Sequence, residues 1–265
     1  LSPDGELTEK TYWELDFTPS ADEQRYTLED WTELLLVNLR KAVKRRLTAD
    51  VPVGILLSGG LDSSLIVGLL AELGKRDMDT FSIGFGDVRG ESGNEFAYSD
   101  IIANHYGTRH HKINARDEQV LPALDPCLQA MSEPMVSHDC IGFYLLSQAV
   151  SQHVKVVQSG QGADEVFGGY HWYPPLMNDR DSVYDYVAHF FDRPHTEYAS
   201  VVHPRLVGDD HSLDFVRHHF ERPGASSTVD RALRLDTTVM LVDDPVKRVD
   251  NMTMAWGLEA RGPFL

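Results

Sequence analysis

Two short strand-like runs, each breaking into a glycine-rich turn, constrain this chain more than any other feature. Val51-Pro52-Val53-Gly54-Ile55-Leu56-Leu57 has the unbroken apolar character of a buried parallel strand and leads directly into Ser58-Gly59-Gly60-Leu61-Asp62-Ser63-Ser64. An apolar-periodic stretch from Leu65 to Leu73 follows and stops at Gly74, a natural helix terminator. Val154-Lys155-Val156-Val157-Gln158 repeats the arrangement, running into Ser159-Gly160-Gln161-Gly162-Ala163-Asp164-Glu165. Between the two lie a strand pattern at 80–85, a glycine-rich loop from Gly86 to Gly93 and a helical pattern at 95–106. A short strand at 109–113 and helical patterns at 117–131 and 140–152 complete the interval. Such alternation predicts an α/β fold, a parallel twisted sheet with helices on both faces. Beyond about 175 the strand signal fades, and a mainly helical C-terminal part is expected.

Residues 1–26 are polar and turn-rich apart from Tyr12-Trp13-Glu14-Leu15-Asp16-Phe17, and read as a linker or lead-in strand. Thr27 and Asp30 form a helix-start signal. Trp31, Leu35, Leu39, Val43 and Leu47 then recur every fourth residue, predicting a helix over 28–48 with these side chains on one face.

The chemistry concentrates at the two turns. In an open parallel sheet, ligands gather at the carboxyl ends of the strands, where helix N-termini present free N–H groups. Gly59 and Gly60 let the backbone approach a phosphate closely, while Ser58, Ser63 and Ser64 add hydroxyl donors. The net charge of −17 argues against nucleic acid or an anionic membrane as partner. An anionic ligand therefore needs local donors of this kind. No Lys-Ser/Thr pair closes the turn, so it is not a Walker A loop. Asp62 would repel phosphate unless a cation lay between them, and Mg2+ held by Asp62 and Asp164, with Glu165 as a further candidate, is the natural solution. Cys127 and Cys140 show no paired spacing and read as buried, reduced thiols of a cytoplasmic protein. No apolar run approaches the ~18–20 residues of a membrane span.

Ser58 to Ser64 resembles the pyrophosphate-binding loop of the ATP pyrophosphatase (PP-loop) superfamily. Ser159 to Tyr170 resembles the second signature of asparagine synthetase synthetase domains, and Asp250 to Leu265 resembles their third. Tyr12-Trp13-Glu14-Leu15 is similar to the segment that joins this domain to an N-terminal glutaminase. These four motifs occur in the family's order and span nearly the whole chain. The resemblance implies that AMP is transferred from ATP to a carboxylate, with release of pyrophosphate, and that ammonia from a glutaminase domain then displaces AMP. It implies pyrophosphate contacts at Ser58, Gly59, Gly60, Ser63 and Ser64, with Ser159 also at the nucleotide. It further implies adenosine contacts at the backbone of Leu56, Ile83 and Gly160, Mg2+ at Asp62 and Asp164, and a substrate-side role for Glu165. The domains implied are a linker at 1–26, an ATP-binding core at 27–175 and a helical part of the same synthetase domain at 176–265. The chain is then a piece of something longer, lacking the glutaminase nucleophile and a catalytic lysine, and unable by itself to use glutamine. A homodimer is compatible with it.

One departure from the family stands in the second signature, where Gln161 replaces the usual Glu. A neutral amide cannot take the proton that ammonia sheds. Either the base lies elsewhere or Gln161 reshapes the site for a substrate other than aspartate, and the second is the expectation. His171-Trp172-Tyr173-Pro174-Pro175 is similar to the subgroup that amidates N-acetylglutaminylglutamine. Two other readings stay open, an adenylating ligase of the β-lactam synthetase type and a degenerate ATP-binding regulatory domain. His110 and His111, adjacent on a strand, should point to opposite faces. Lys247, Arg248 and Arg261 could bind anions or pair with Asp243, Asp250 or Glu259. Trp256, Met252 and Met254 read as core, and Tyr184, Tyr186, Phe190 and Phe191 as helix packing.

Overall fold

In the computed structural model, the first apolar run becomes β1 (Val53–Leu56), buried along its whole length. The structure describes residues 2–86, 93–134, 137, 139–178 and 182–265, so most of the glycine-rich loop at 86–93 lies outside the described residues. After a 3-10 turn at Glu23–Arg25 the chain forms α1 (Leu28–Arg45) and passes through β1 and α2 (Leu61–Glu72) to β2 (Asp79–Gly84). Next come α3 (Phe96–Tyr106), β3 (Arg109–Asn114), α4 (Asp117–Ala130), α5 (Asp139–Val150) and β4 (Val156–Gln158). Short α6 (Ala163–Phe167) is followed by α7 (Tyr173–Leu176), α8 (Ser182–Phe190), α9 (His195–Val201), α10 (His211–Phe220) and α11 (Thr228–Leu235). Two π-helical turns, Asp236–Met240 and Val242–Val246, precede α12 (Lys247–Met254) and β5 (Glu259–Arg261). The fold is α/β with a mainly helical stretch after residue 170.

The chain divides into two units, one formed by 26–169 with 237–265 and the other by 1–25 with 170–236. In the first unit all five strands are parallel, in the order β3-β2-β1-β4-β5. Burial explains that order: β1 and β4 are covered on both faces, whereas the outer strands β3 and β5 have exposed residues. Side chains alternate along β1. Ile55 and Leu57 pack with Leu39 and Val43 of α1 and Ile66, Val67 and Leu70 of α2. Leu56 points the other way, toward Phe81, Leu146, Val150 and Val157. The sheet therefore has a packed core on each face.

Thr27 and Asp30 cap α1 reciprocally, with Asp30 N–H donating to Thr27 Oγ1 at 3.2 Å and Thr27 N–H to the Asp30 carboxylate at 2.8 Å. The helix stops at Arg45, and only the Leu39–Val43 part of its apolar stripe is buried. Trp31 and Leu35 are exposed, the core on this face being reached instead by Leu36, Leu39, Val43 and Leu47. β5 escaped the sequence reading, since Glu-Ala-Arg carries no apolar run.

In the second unit Asp236 is fully buried and accepts hydrogen bonds from Trp172 Nε1 (3.2 Å), Tyr173 Oη (2.6 Å) and Tyr186 Oη (2.5 Å). Burial pushes its carboxyl above the usual range, although the three donors act in the opposite direction. Tyr186 stacks on Phe190 at 4.9 Å, as helical packing requires, while Tyr184 faces solvent. The N-terminal segment is tied in by Phe17 N–H donating to the Gly224 carbonyl at 2.8 Å.

Candidate active site

Strand β1 lies between β2, the next strand in sequence, and β4, which joins the sheet only after β3. The order of connection reverses at the β1–β4 pair, and the crevice at the carboxyl ends of these strands is where open α/β sheets receive ligands. The register pairs Val53 with Val156, Gly54 with Val157 and Ile55 with Gln158, so the two glycine turns leave the sheet side by side.

The first turn is short because α2 begins at Leu61, with Gly60 as its N-cap, rather than at Leu65 as the apolar pattern alone suggests. Asp62, Ser63 and Ser64 thus stand on the first helical turn. Gly60 offers no side-chain cap, so the leading N–H groups of a twelve-residue helix remain available to an anion. Hydroxyls knit the loop: Ser58 Oγ lies 3.1 Å from Ser63 Oγ and accepts from Gly60 N–H at 3.2 Å. Ser64 Oγ donates to the Gly60 carbonyl at 2.6 Å. Gly59 has φ +95°, and a Cβ there would stand 2.5 Å from the Ser99 nitrogen and 2.6 Å from Tyr98 Cβ. Only glycine meets both demands.

The second turn comes within van der Waals reach of the first. A Cβ on Gly160 would meet Ser63 N at 3.1 Å and Asp62 Cβ at 3.3 Å. Ser159 N–H donates to the Arg261 carbonyl at 3.0 Å, which fixes the turn to β5, and Gln161 N–H reaches Ser159 Oγ at 3.4 Å. Burial, and then the neighbouring Asp164 carboxylate, raise the Asp62 carboxyl above its usual range. Two neighbouring carboxylates of this kind suit a divalent cation whose remaining ligands come from phosphate and water. Among the described residues no group of three or more His, Cys, Asp or Glu could hold a metal alone, so a closed zinc-type site is not what this pair builds. Glu165 is 1% exposed, and its carbonyl accepts from Thr237 Oγ1 at 3.1 Å. Leu56 and Ile83 sit on β1 and β2, their side chains packed into the core beneath the crevice.

Several residues set aside in the sequence have structural partners. Lys247 pairs with Asp243 at 3.1 Å and with Glu133, Arg261 pairs with Glu259 at 2.7 Å, and Arg248 pairs with Asp244 at 3.1 Å. Asp250 takes no part in these pairs. Met252 is fully buried, but Met254 is 55% exposed, because α12 turns that position away from α5. Cys127 and Cys140 are free and buried. The two histidines diverge as the strand requires. His111 stacks on Phe81 at 4.8 Å and reaches Asp79 at 3.1 Å, while His110 turns toward Thr80, Ser82 and Ser99. Ser82 was not anticipated: its hydroxyl donates to the Leu57 carbonyl directly behind the first turn. A small polar residue inside an apolar strand was its only trace in the sequence.

Fold and site together define a parallel α/β domain in which two glycine turns meet at the topological switch point, with Asp62 and Asp164 close to each other. The profile of the family described as asparagine synthase matches residues 35–265, and the chain belongs to that family. A Methanocaldococcus jannaschii protein assigned as a glutamine-hydrolysing asparagine synthetase is 36% identical over 167 residues, 62% of this chain and 31% of the relative. Glutamine-hydrolysing asparagine synthetase 1 of Bacillus subtilis is 25% identical over 301 residues, 100% of this chain and 46% of the relative. Asparagine synthetase B of Escherichia coli is 30% identical over 196 residues, covering 68% and 34% respectively. The chain spans less than half the length of each of these relatives. Among the described residues no helix is long and apolar enough to cross a membrane.

Proposed function

We propose that this chain is the adenylating part of an amide-forming ligase, using ATP to activate a small carboxylic acid and ammonia released from glutamine to form the amide. The observation that carries the reading is the packing of Gly160 against Ser63 and Asp62, which places two acidic-bearing turns around one helix N-terminus. A carboxylate oxygen attacks the α-phosphorus of ATP and pyrophosphate leaves; the nitrogen of ammonia then attacks the acyl carbon, loses a proton, and AMP leaves. Ser58, Gly59, Gly60, Ser63, Ser64 and Ser159 would receive the departing diphosphate, where backbone and hydroxyl donors stabilise charge that grows as the P–O bond breaks. Backbone at Leu56, Ile83 and Gly160 would border the adenosine. Asp62 and Asp164 would hold Mg2+, which when bound neutralises phosphate charge. Glu165 is assigned to the acid-substrate side.

Gln161 is the proposed specificity element. Its amide both donates and accepts, which suits a substrate that itself bears an amide.

The test is ATP–pyrophosphate exchange with radiolabelled pyrophosphate, on the full-length protein that carries this chain, across a panel of carboxylic acids. Exchange dependent on one acid is expected, and Gln161→Glu should shift the preferred acid. Exchange with no acid at all would refute adenylation, and an unchanged preference in the variant would refute the role of Gln161.

A further inference from the structure

We infer that His110 is a positioning residue for the loop after β1, holding it through a neutral imidazole protonated on Nε2. The proton assignment follows from counting donors. Ser82 gives its single hydroxyl proton to the Leu57 carbonyl, and Ser99 gives its own to the Phe96 carbonyl at 3.2 Å. Ser82 Oγ, its proton committed to the Leu57 carbonyl, accepts from the ring nitrogen beside it, His110 Nε2, at 3.3 Å, and Ser99 Oγ stands as a second acceptor at 3.1 Å. Nε2 carries the proton and shares it between them. Nδ1 is then bare and accepts from Thr80 Oγ1 at 2.9 Å, and Thr80 in turn accepts from Thr108 Oγ1 at 2.8 Å. A doubly protonated ring would instead have to donate from Nδ1 and reverse the Thr80–Thr108 bond.

The two acceptors of the Nε2 proton support the two sides of the loop. Ser82 holds the peptide that leads into Ser58, and the peptide before it is fixed by Leu57 N–H donating to the Phe81 carbonyl at 2.8 Å. Ser99 belongs to the turn of α3 against which Gly59 packs, its nitrogen 2.5 Å from where a Cβ on Gly59 would stand. One N–H bond thus joins the strand behind the loop to the helix beside it. The charged or titratable groups around the ring are Asp100 of α3 and Lys112 and His111 of β3. Burial is the strongest influence on the imidazole and, with Lys112 and His111, favours its neutral form against the opposing effects of Asp100 and the Thr80 backbone.

The functional consequence rests on the proposed binding of ATP at this loop, and the test separates the two. Glutamine can place its amide N–H near the position of Nε2, whereas asparagine reaches only the Nδ1 side. In calorimetric titration of the full-length protein with Mg·ATP, His110→Gln should stay within about threefold of wild type. His110→Asn and Ser82→Ala should weaken binding by about tenfold or more. Asn and Gln variants with matched melting temperatures but equal affinities would overturn the assignment. A long-range 1H–15N spectrum of the free protein should show the His110 proton on Nε2, and a proton on Nδ1 would overturn it without reference to nucleotide. Failure of the wild type to bind Mg·ATP would instead refute the proposed function, leaving the tautomer to the spectrum.

Discussion

Replacing Asp62 by Asn will lower ATP–pyrophosphate exchange by roughly 100- to 1,000-fold while leaving the free protein at least as stable as wild type. The rate estimate is the usual cost of deleting one group that stabilises charge where it develops in the transition state. Stability moves the other way because Asp62 is partly desolvated and faces Asp164, so its charged form is disfavoured in the fold. The sign follows from linkage. A carboxyl whose folded pKa is raised helps the fold at pH values below the unfolded pKa and loses that help as pH rises through the folded pKa. At neutral pH the wild-type carboxylate is therefore a burden in the absence of cation, and the neutral amide removes it. Melting curves with and without Mg2+ and ATP check this. Wild type should gain stability on adding both, and the variant should gain much less. A variant that melts well below wild type without ligand would show that Asp62 is a structural residue.

The second large effect concerns two neighbouring glycines. Gly59→Ala should destabilise the protein by roughly 2–5 kcal/mol, combining about 1–2 kcal/mol for a left-handed backbone with about 1–3 kcal/mol for overpacking. The obstruction is the backbone of α3 at Ser99, which cannot swing aside as a flexible side chain would. Gly60→Ala should stay within about 1 kcal/mol, since Gly60 has φ −67° and a Cβ there meets only Ser58 Oγ at 3.3 Å. Denaturant titration of the two variants distinguishes them, and equal costs would show that the approach to α3 is not what demands glycine at 59.

The central strands were legible because strands covered on both faces are largely apolar: β1 is so throughout and β4 at Val156 and Val157, while Gln158 is buried with its amide donating to the Val43 carbonyl at 3.1 Å. The glycine turns were legible because glycine after such a run has few other uses. Three features were not. β5 is an edge strand of Glu259, Ala260 and Arg261, held by pairing with β4 rather than by its own apolar content. The start of α2 at Leu61 was hidden, since Ser-Gly-Gly-Leu-Asp-Ser-Ser reads as loop by composition although Gly60 already caps the helix. The meeting of Gly160 with Ser63 depends on the β1–β4 register, which brings together residues about 100 positions apart in the chain. His110 was visible as a residue but not in its role, because that role lies in partners on β2 and α3.

The most direct test is a crystal structure of the protein with Mn2+ and a non-hydrolysable ATP analogue, with anomalous scattering used to locate the metal. The account predicts a manganese peak between the Asp62 and Asp164 carboxylates and nucleotide phosphates against residues 58–64. A nucleotide seated elsewhere, or phosphates on that loop with neither carboxylate touching the metal, would contradict it.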